Sequence, residues 1–220
     1  MQANGRTNSL DFDRGVALLT DGLDPASDRA SDYASTVPHR SRLRPRRILR
    51  LPPPSPVTMP YQPILATLGY VLSPDGRQVL LVHRNARADD HHLGKYNGLG
   101  GKLEADEDVA SGMCRELREE AGIEVRAMQL RGTLSWPGFG RHGEHWLGFL
   151  FLITAYDGEV LAQNAEGTLT WLPLDRLHAL PMWEGDRLFL PLVFDGDPRP
   201  FHGLMPYRDG RPTGWSFQRF

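Results

Sequence analysis

The feature that most constrains this chain is an acid-rich segment at residues 98–124, which begins with a run of glycines. Asp108 suits a helix N-cap, and Gly122 suits the glycine that commonly follows the last turn of a helix. We therefore predict a helix between these two residues. At about 100° per residue, its apolar positions form one stripe that must pack against a core. These positions are Ala110, Met113, Cys114, Leu117 and Ala121.

Three glutamates lie beside this apolar stripe, at Glu116, Glu119 and Glu120. The spacing places their carboxylates on one side of the helix, where like charges one turn apart repel. A hard divalent cation would relieve the repulsion, since Mg²⁺ prefers oxygen ligands and often joins carboxylates to substrate phosphates. The alternative is a solvated acidic face that pairs with neighbouring arginines. Gly112 falls within the same arc, and we expect it to leave room for a ligand to approach the backbone.

Composition excludes several functional classes. The chain has 220 residues and a net charge of −2, which argues against nucleic-acid or membrane-surface binding as its main role. Its single cysteine, Cys114, excludes an internal disulfide framework and favours a reducing, cytoplasmic location. We find neither a secretory signal nor an apolar run near the ~20 residues that span a bilayer. We therefore expect no membrane partner and no stable nucleic-acid complex.

Two regions differ in pattern. Residues 1–58 are rich in Arg, Asp, Ser and Pro and lack core-forming periodicity, so we predict that they are disordered. Residues 59–220 are predicted to form one globular domain. Within it, ILATLGYVL, SPDGR and QVLLVHR read as a β-hairpin, and further strands are predicted near 123–134, 145–156 and 168–174. A short helix is predicted near 174–180. Strands around one strong helix indicate an α+β domain with a mixed sheet.

The glutamates also fall into a longer motif. From Gly101 to Ile123 the chain reads G-x₅-E-x₇-R-E-L-x-E-E-x-G-I. Every fixed position matches the Nudix box, and the chain resembles the Nudix hydrolase family. The resemblance implies an α/β/α sandwich around a mixed sheet. It also implies hydrolysis of a nucleoside diphosphate linked to another moiety, with Mg²⁺ or Mn²⁺ as cofactor.

Carried over position by position, the resemblance assigns roles to residues of the box. Glu116, Glu119 and Glu120 are the expected metal ligands, and one of them is expected to act as the base. Gly100 is expected to offer its carbonyl to the metal. Arg115 is expected to orient a glutamate, and Glu107 is expected to steady the loop and the start of the helix. Apart from cation binding by the three glutamates, these roles come from the resemblance alone.

Outside the box the chain resembles the MutT-type branch, the 8-oxo-dGTP diphosphatases, from about Ile64 to Phe217. Three stretches carry this resemblance: GKYNGLGGK at 94–102, Glu166 five residues before Trp171, and PMWEGDRLFLPLVF at 181–194 followed by FHG. The branch implies that Glu166 is a further metal ligand. It also implies release of a nucleoside monophosphate and pyrophosphate from an oxidised purine triphosphate.

The same stretches provide candidate substrate-binding residues. The Asn97 amide can donate to and accept from a purine edge, and Trp183 offers a surface on which a base can stack. Asp186 can accept from ring N–H groups, or donate if it is protonated in an apolar pocket. Lys95 and Lys102, the only lysines in the chain, are expected to meet phosphates. The alternatives are that Trp183 is a core aromatic and that Asn97 forms a turn.

The chain also departs from the branch. Gly185 stands where close relatives carry the first of two adjacent aspartates, and Tyr96 replaces the usual Trp. The missing carboxylate weakens the preference for an oxidised purine. Other substrates therefore stay open: ADP-ribose, dinucleoside polyphosphates and capped RNA. A non-catalytic nucleotide-sensing module is the other alternative, and an intact box argues against it. We expect a monomer or homodimer, and we expect most of His83, His91 and His92 to lie at the surface.

Overall fold

A computed structural model describes residues 60–220, so the predicted disordered segment 1–58 lies outside the described residues. The strands are β1 (Ile64–Leu72), β2 (Gln78–Arg84), β3 (Tyr96–Asn97), β4 (Glu124–Trp136), β5 (Trp146–Asp157), β6 (Gly167–Pro173), β7 (Phe201–Leu204), β8 (Tyr207–Arg208), β9 (Arg211–Pro212) and β10 (Ser216–Arg219). The helices are α1 (Val109–Ala121), a 3-10 helix (Leu174–Ala179) and α2 (Asp186–Phe194).

The main sheet is mixed, as the sequence predicts. Its order is β10-β7-β4-β5-β1-β2-β3, and β6 pairs with β2. The pairs β1–β5 and β4–β7 are parallel, whereas β1–β2, β4–β5 and β2–β6 are antiparallel. The predicted hairpin is confirmed, since Val71 lies opposite Leu80 across the SPDGR turn.

The two faces of the sheet carry separate cores. Side chains alternate along a strand, so neighbours such as Leu80 and Leu81 lie on opposite faces. Leu80 packs in the cluster that contains Leu117 of α1, and Leu81 packs in the cluster that contains Phe189 of α2. One helix therefore covers each face, which confirms the α/β/α sandwich.

Helix α1 begins and ends at the predicted caps. The Asp108 carboxylate accepts the backbone N–H groups of Ala110 and Ser111 at 2.8 and 3.0 Å, and Gly122 adopts a left-handed φ of 73°. Two details of the prediction are wrong. Cys114 is half-buried and lies outside the core cluster. Gly112 is buried, and a Cβ there would lie 2.5 Å from Leu103 Cδ2, so its space is already filled from within the fold.

The second helix differs from the prediction. Residues 174–179 form only a 3-10 helix, and the second α-helix is α2, further along the chain. Pro191 lies inside α2, where a proline typically costs about 3 kcal/mol, and this residue obscures the helical pattern. Burial of Phe189, Leu190 and Val193 against the sheet offsets that cost.

The glycine-rich stretch before α1 runs alongside β1. The N–H of Gly69 donates to the Leu99 carbonyl at 2.6 Å, and the N–H of Thr67 donates to the Gly101 carbonyl at 2.8 Å. Gly100 has a φ of 138°, and a Cβ there would lie 2.3 Å from the Thr67 carbonyl oxygen. Only glycine fits at this position, so the close approach of the two backbones fixes the loop against β1.

Candidate active site

A cleft of about 320 Å³ opens beside the glycine-rich stretch. Most of the candidate site residues line it or contact its walls, although they come from distant parts of the chain. Its lining includes Asn97, Gly100, Lys102, Glu166, Trp183 and Asp186. A second cavity of about 380 Å³ lies between the 3-10 helix and α2. Its walls are mainly apolar and include none of the candidate residues, so the first cleft is the candidate active site.

Glu120 is the most buried of the box glutamates. Its carboxylate accepts the N–H of Gly100 at 2.8 Å, which ties α1 to the glycine-rich stretch. Burial, and after it the nearby Glu166 and Glu116 carboxylates, raise the pKa of Glu120 to about 8, and the Gly100 hydrogen bond opposes this shift. Near neutral pH this group readily holds a proton unless a cation balances its charge.

Glu116 and Glu119 face different surroundings. Burial raises the pKa of Glu116, and its Oε1 would lie 2.5 Å from a Cβ on Gly101, so the glycine leaves space for this carboxylate. The Glu119 side chain is 60% exposed. Arg115 contacts both, at 2.9 Å to Glu116 and 3.3 Å to Glu119, and also pairs with Glu107 at 2.7 Å.

Glu166 joins this group from the loop before β6. It forms an ion pair with Arg84, whose Nε also donates to Asp90 Oδ2 at 2.8 Å. The Arg84 side chain is only 11% exposed. Sequence reasoning missed Arg84 because an arginine at the end of a strand has no distinguishing pattern. We refer to Glu116, Glu120 and Glu166 as the acid group.

Among residues 60–220, no three carboxylates, imidazoles or thiols are arranged as a ready-made metal cage. Arg115 and Arg84 neutralise part of the negative charge instead. The donor set nevertheless fits a hard divalent cation, because it consists of carboxylate oxygens, and burial raises the pKa of two of them, Glu116 and Glu120. A cation would replace the proton on Glu120 as the balancing charge.

Aromatic side chains form another part of the cleft wall. Phe139 packs against Trp183 at 5.8 Å, Tyr207 at 4.9 Å and Trp136 at 6.1 Å between ring centroids. Trp183 is half-buried, and Lys95 Nζ lies 4.7 Å from its ring centroid. We refer to Trp136, Phe139, Trp183 and Tyr207 as the aromatic group. Except for Trp183, sequence reasoning missed it, since its members come from separate loops and strands.

His92 links Trp183 to Asn97. Its Nδ1 lies 2.8 Å from Trp183 Nε1 and 2.9 Å from Asn97 Nδ2. Burial, together with the charge of Arg84, lowers the pKa of His92 to about 4, and the Asp90 carboxylate opposes this. The prediction that most of the three histidines near the glycines lie at the surface is wrong, because only His91 is exposed while His83 and His92 are half-buried.

Asn97 and Asp186 each bring an enclosed polar group to the cleft. Within residues 60–220, Asn97 Oδ1 is buried without a hydrogen-bond partner. Burial raises the pKa of Asp186 to about 7, and a backbone hydrogen bond at Trp183 opposes this shift only in part. The Asp186 carboxyl can therefore either donate or accept a hydrogen bond near neutral pH.

The two lysines occupy different positions. Lys102 lines the cleft next to Gly101, and its Nζ lies 5.6 Å from the Trp146 ring centroid. Lys95 instead lies over the ring of Trp183, the candidate for stacking on a nucleobase. The structure therefore separates the two lysines that the sequence placed together.

Gly185 lies beside Tyr207, which lines the cleft. A Cβ at this position would lie 2.2 Å from Tyr207 Oη and 2.5 Å from Met205 Sδ. The aspartate that the resemblance leads us to expect at this position would overlap these two side chains unless they moved. The phenol of Tyr207 fills the position and brings a hydroxyl to the same wall of the cleft.

Comparison with known proteins identifies the family of this chain. A family model of the NUDIX domain matches residues 63–193. The chain belongs to the Nudix family. This Nudix hydrolase is 33% identical over 112 residues to the Nudix hydrolase YvcI of Bacillus subtilis, which covers 49% of this chain and 69% of YvcI. It is 31% identical over 129 residues to the oxidized purine nucleoside triphosphate hydrolase of Danio rerio, which covers 59% of this chain and 78% of that protein.

A solved structure supports the fold assignment. The crystal structure of a MutT protein from Bacillus halodurans superposes with a TM-score of 0.60 at 31% identity, covering 70% of this chain and 97% of that one. Nudix hydrolases act on nucleotide-type substrates and generally use divalent metals. Within residues 60–220 of this Nudix hydrolase, no helix has the length and apolar character needed to cross a bilayer.

Proposed function

We propose that this Nudix hydrolase converts a purine nucleoside triphosphate, with 8-oxo-dGTP as the leading candidate, to its monophosphate and pyrophosphate. The observation that carries the proposal is the single cleft, which contains Glu166 of the acid group together with Trp183 and Asp186. One nucleotide can therefore offer its phosphates to the carboxylates and its base to the aromatic group. The similarity to an oxidized purine nucleoside triphosphate hydrolase supports the same substrate class.

The acid group and its neighbours would hold Mg²⁺, for which Mn²⁺ can substitute. The ligands we propose are Gly100, Glu116, Glu119, Glu120 and Glu166. The Gly100 carbonyl lies between two carbonyls that pair with β1, those of Leu99 and Gly101. When bound, the ion neutralises pyrophosphate charge and lowers the pKa of a water molecule.

Side chains of this chain would position the metal ligands, accept a proton and bind a substrate phosphate. Arg115 holds Glu116 and Glu119 in place through its guanidinium, and it is fixed in turn by Glu107. Glu120 can accept a proton near neutral pH because of its raised pKa. The general base of the reaction is one of the box glutamates. Lys102, next to the loop that holds Glu120, is the candidate for binding a substrate phosphate.

The nucleobase of the substrate would lie against the aromatic group. Stacking on Trp183 contributes about 1–3 kcal/mol, since every base offers a π face. Asn97, Asp186 and the Tyr207 hydroxyl then provide the polar contacts that select among bases. Tyr207 Oη occupies the space beside Gly185, so the preference for an oxidised purine would depend on these three groups together.

A substrate panel tests the proposal. The full chain is incubated with Mg²⁺ and with 8-oxo-dGTP, dGTP, dCTP, ADP-ribose, a dinucleoside polyphosphate or capped RNA, and the products are resolved by ion-exchange chromatography. We expect monophosphate and pyrophosphate, fastest from the oxidised purine triphosphate. Preferred cleavage of ADP-ribose or capped RNA would replace the substrate assignment. Binding of nucleotide without turnover in Mg²⁺ or Mn²⁺ would identify a sensing module.

Two further expectations concern the whole protein. The cytoplasmic location stays a prediction from the single cysteine. A monomeric or homodimeric state also stays a prediction, and analytical ultracentrifugation of the full chain would measure it.

A further inference from the structure

His92 receives two N–H groups on the same ring nitrogen. Trp183 Nε1 and Asn97 Nδ2 lie 2.8 and 2.9 Å from His92 Nδ1. The backbone N–H of His92 donates to Asp90 Oδ1 at 2.9 Å, which anchors the loop that carries the ring. A single imidazole therefore touches both residues that the proposed function assigns to the base.

The indole of Trp183 fixes the tautomer of this imidazole. An indole N–H can only donate, so the nitrogen that faces it must carry a lone pair. A neutral imidazole with a lone pair on Nδ1 carries its proton on Nε2. Burial and the Arg84 charge lower the pKa of His92 to about 4, which keeps the ring neutral at physiological pH.

The same lone pair fixes the orientation of the Asn97 amide. If the amide were flipped, its carbonyl oxygen would face the Nδ1 lone pair, and two acceptors would repel each other. Asn97 therefore presents Nδ2 to His92 and leaves Oδ1 free. Within the described part of the chain Oδ1 is buried without a partner, and Asn97 lines the cleft. A buried acceptor without a partner is unfavourable, and an N–H group of a ligand would remove that cost.

We propose that His92 is a positioning residue, which makes Asn97 a hydrogen-bond acceptor in the cleft and so selects bases that present an N–H group there. The selected class is a purine with a ring N–H or an exocyclic amino group at the edge that meets Asn97. The substrate part of this proposal rests on the proposed function. The hydrogen bonds that join Trp183 and Asn97 to His92 are a property of the free protein.

The tautomer is measured first, without any substrate. Two-bond ¹H–¹⁵N correlation spectra of the ¹⁵N-labelled full chain report which nitrogen of each imidazole carries the proton, and His92→Asn identifies the His92 signals. We expect a protonated Nε2 and a bare Nδ1 from about pH 6 to about pH 8, consistent with the lowered pKa. A proton on Nδ1, or an imidazolium in that range, would overturn the proposal. Because no turnover is needed, this result is separate from the fate of the proposed function.

Kinetics then test the effect on selection. The side chain introduced by His92→Asn can place its oxygen near the Nδ1 position and accept from both neighbours, whereas the methyl group introduced by His92→Ala cannot. We expect His92→Ala to raise KM for the best purine triphosphate about 10- to 100-fold with little change in kcat, the scale set by an unpaired buried group. His92→Asn should keep KM near that of the wild type. The matched control is His142→Ala, at an exposed loop position outside the cleft lining.

Substrate pairs that differ by one N–H group complete the test. dITP lacks the amino group of dGTP, and 8-oxo-dGTP gains an N7–H that dGTP lacks. In the wild type, at least one pair should differ about tenfold or more in KM, and the difference should disappear in His92→Ala. Discrimination that survives in His92→Ala, or that is lost equally in His92→Asn, would contradict the positioning role. If no triphosphate is hydrolysed, the proposed function fails, and the spectra still decide the role of His92.

Discussion

Replacing Glu120 by Gln is expected to stabilise the metal-free protein while removing its activity. The carboxyl has a pKa of about 8 in the folded chain, against 4.5 for an ordinary glutamate. Between those values the unfolded chain binds fewer protons than the folded one, so the free energy of unfolding falls as pH rises. The amide introduced by Glu120→Gln keeps an oxygen for the Gly100 N–H but cannot ionise, and the variant should not share this loss.

The magnitude follows from the same values. One unit of pKa difference corresponds to about 1.4 kcal/mol. At pH 7 the free energy of unfolding of the metal-free wild type should therefore be lower than that of Glu120→Gln by as much as ~3 kcal/mol. The difference should be small near pH 4.5 and largest above about pH 8. The control is Glu119→Gln, whose side chain is 60% exposed and should stay within about 0.5 kcal/mol of the wild type.

Urea unfolding of each variant in EDTA, from about pH 5 to about pH 8, measures this difference. Saturating Mg²⁺ should then stabilise the wild type more than Glu120→Gln, because an ion that binds the folded state stabilises it and the variant lacks the Glu120 carboxylate that would bind the ion. Turnover of the variant should fall at least about 100-fold. A stability difference that does not change with pH would refute the burial argument for Glu120. Turnover of Glu120→Gln at the wild-type rate in Mg²⁺ would remove Glu120 from the metal site.

Three further outcomes are expected. Gly185→Asp should lower the free energy of unfolding by about 1–3 kcal/mol, because its Cβ would overlap Tyr207 Oη, whereas Gly196→Ala, with no atom within 4 Å, should be neutral in the same urea assay. Arg131→Leu should cost about 3 kcal/mol in urea, since it removes a buried guanidinium that donates to the carbonyls at the end of α2. KM for the purine triphosphate should change with pH near 7 in the wild type and stay constant in Asp186→Asn, because burial raises the pKa of Asp186 to about 7.

The elements that the sequence predicted correctly are those that local patterns determine. Helix α1 has a capping aspartate, a left-handed glycine and an apolar stripe within 15 residues, from Asp108 to Gly122, so its bounds need no distant contact. The hairpin of β1 and β2 likewise follows from two apolar runs around one turn. Helix α2 was missed because Pro191 interrupts its pattern, and only packing against the sheet shows that the helix tolerates it.

Much of the candidate site depends on contacts between residues far apart in sequence. His92 lies in a polar loop sequence that reads as solvated, and its burial arises where Trp183 packs against it, 91 residues further along the chain. Tyr207 fills the space beside Gly185 only because β7 and the loop after it lie close to the start of α2. Arg131 reads as an exposed strand residue, although it is 2% exposed. No periodicity or motif in the chain marks these three positions.

The central claim is that phosphate chemistry and base recognition occupy separate groups of residues in one cleft. It is tested most directly by kcat/KM for 8-oxo-dGTP, dGTP and dCTP in the wild type, Asn97→Ala and Glu120→Gln. Glu120→Gln should slow all three substrates by a similar factor, because each presents the same triphosphate. Asn97→Ala should reduce kcat/KM for the preferred purine about 10- to 100-fold more than for dCTP, since an unpaired buried polar partner costs about 1–3 kcal/mol. Equal losses for purine and pyrimidine in Asn97→Ala would contradict the account and make Asn97 a structural residue.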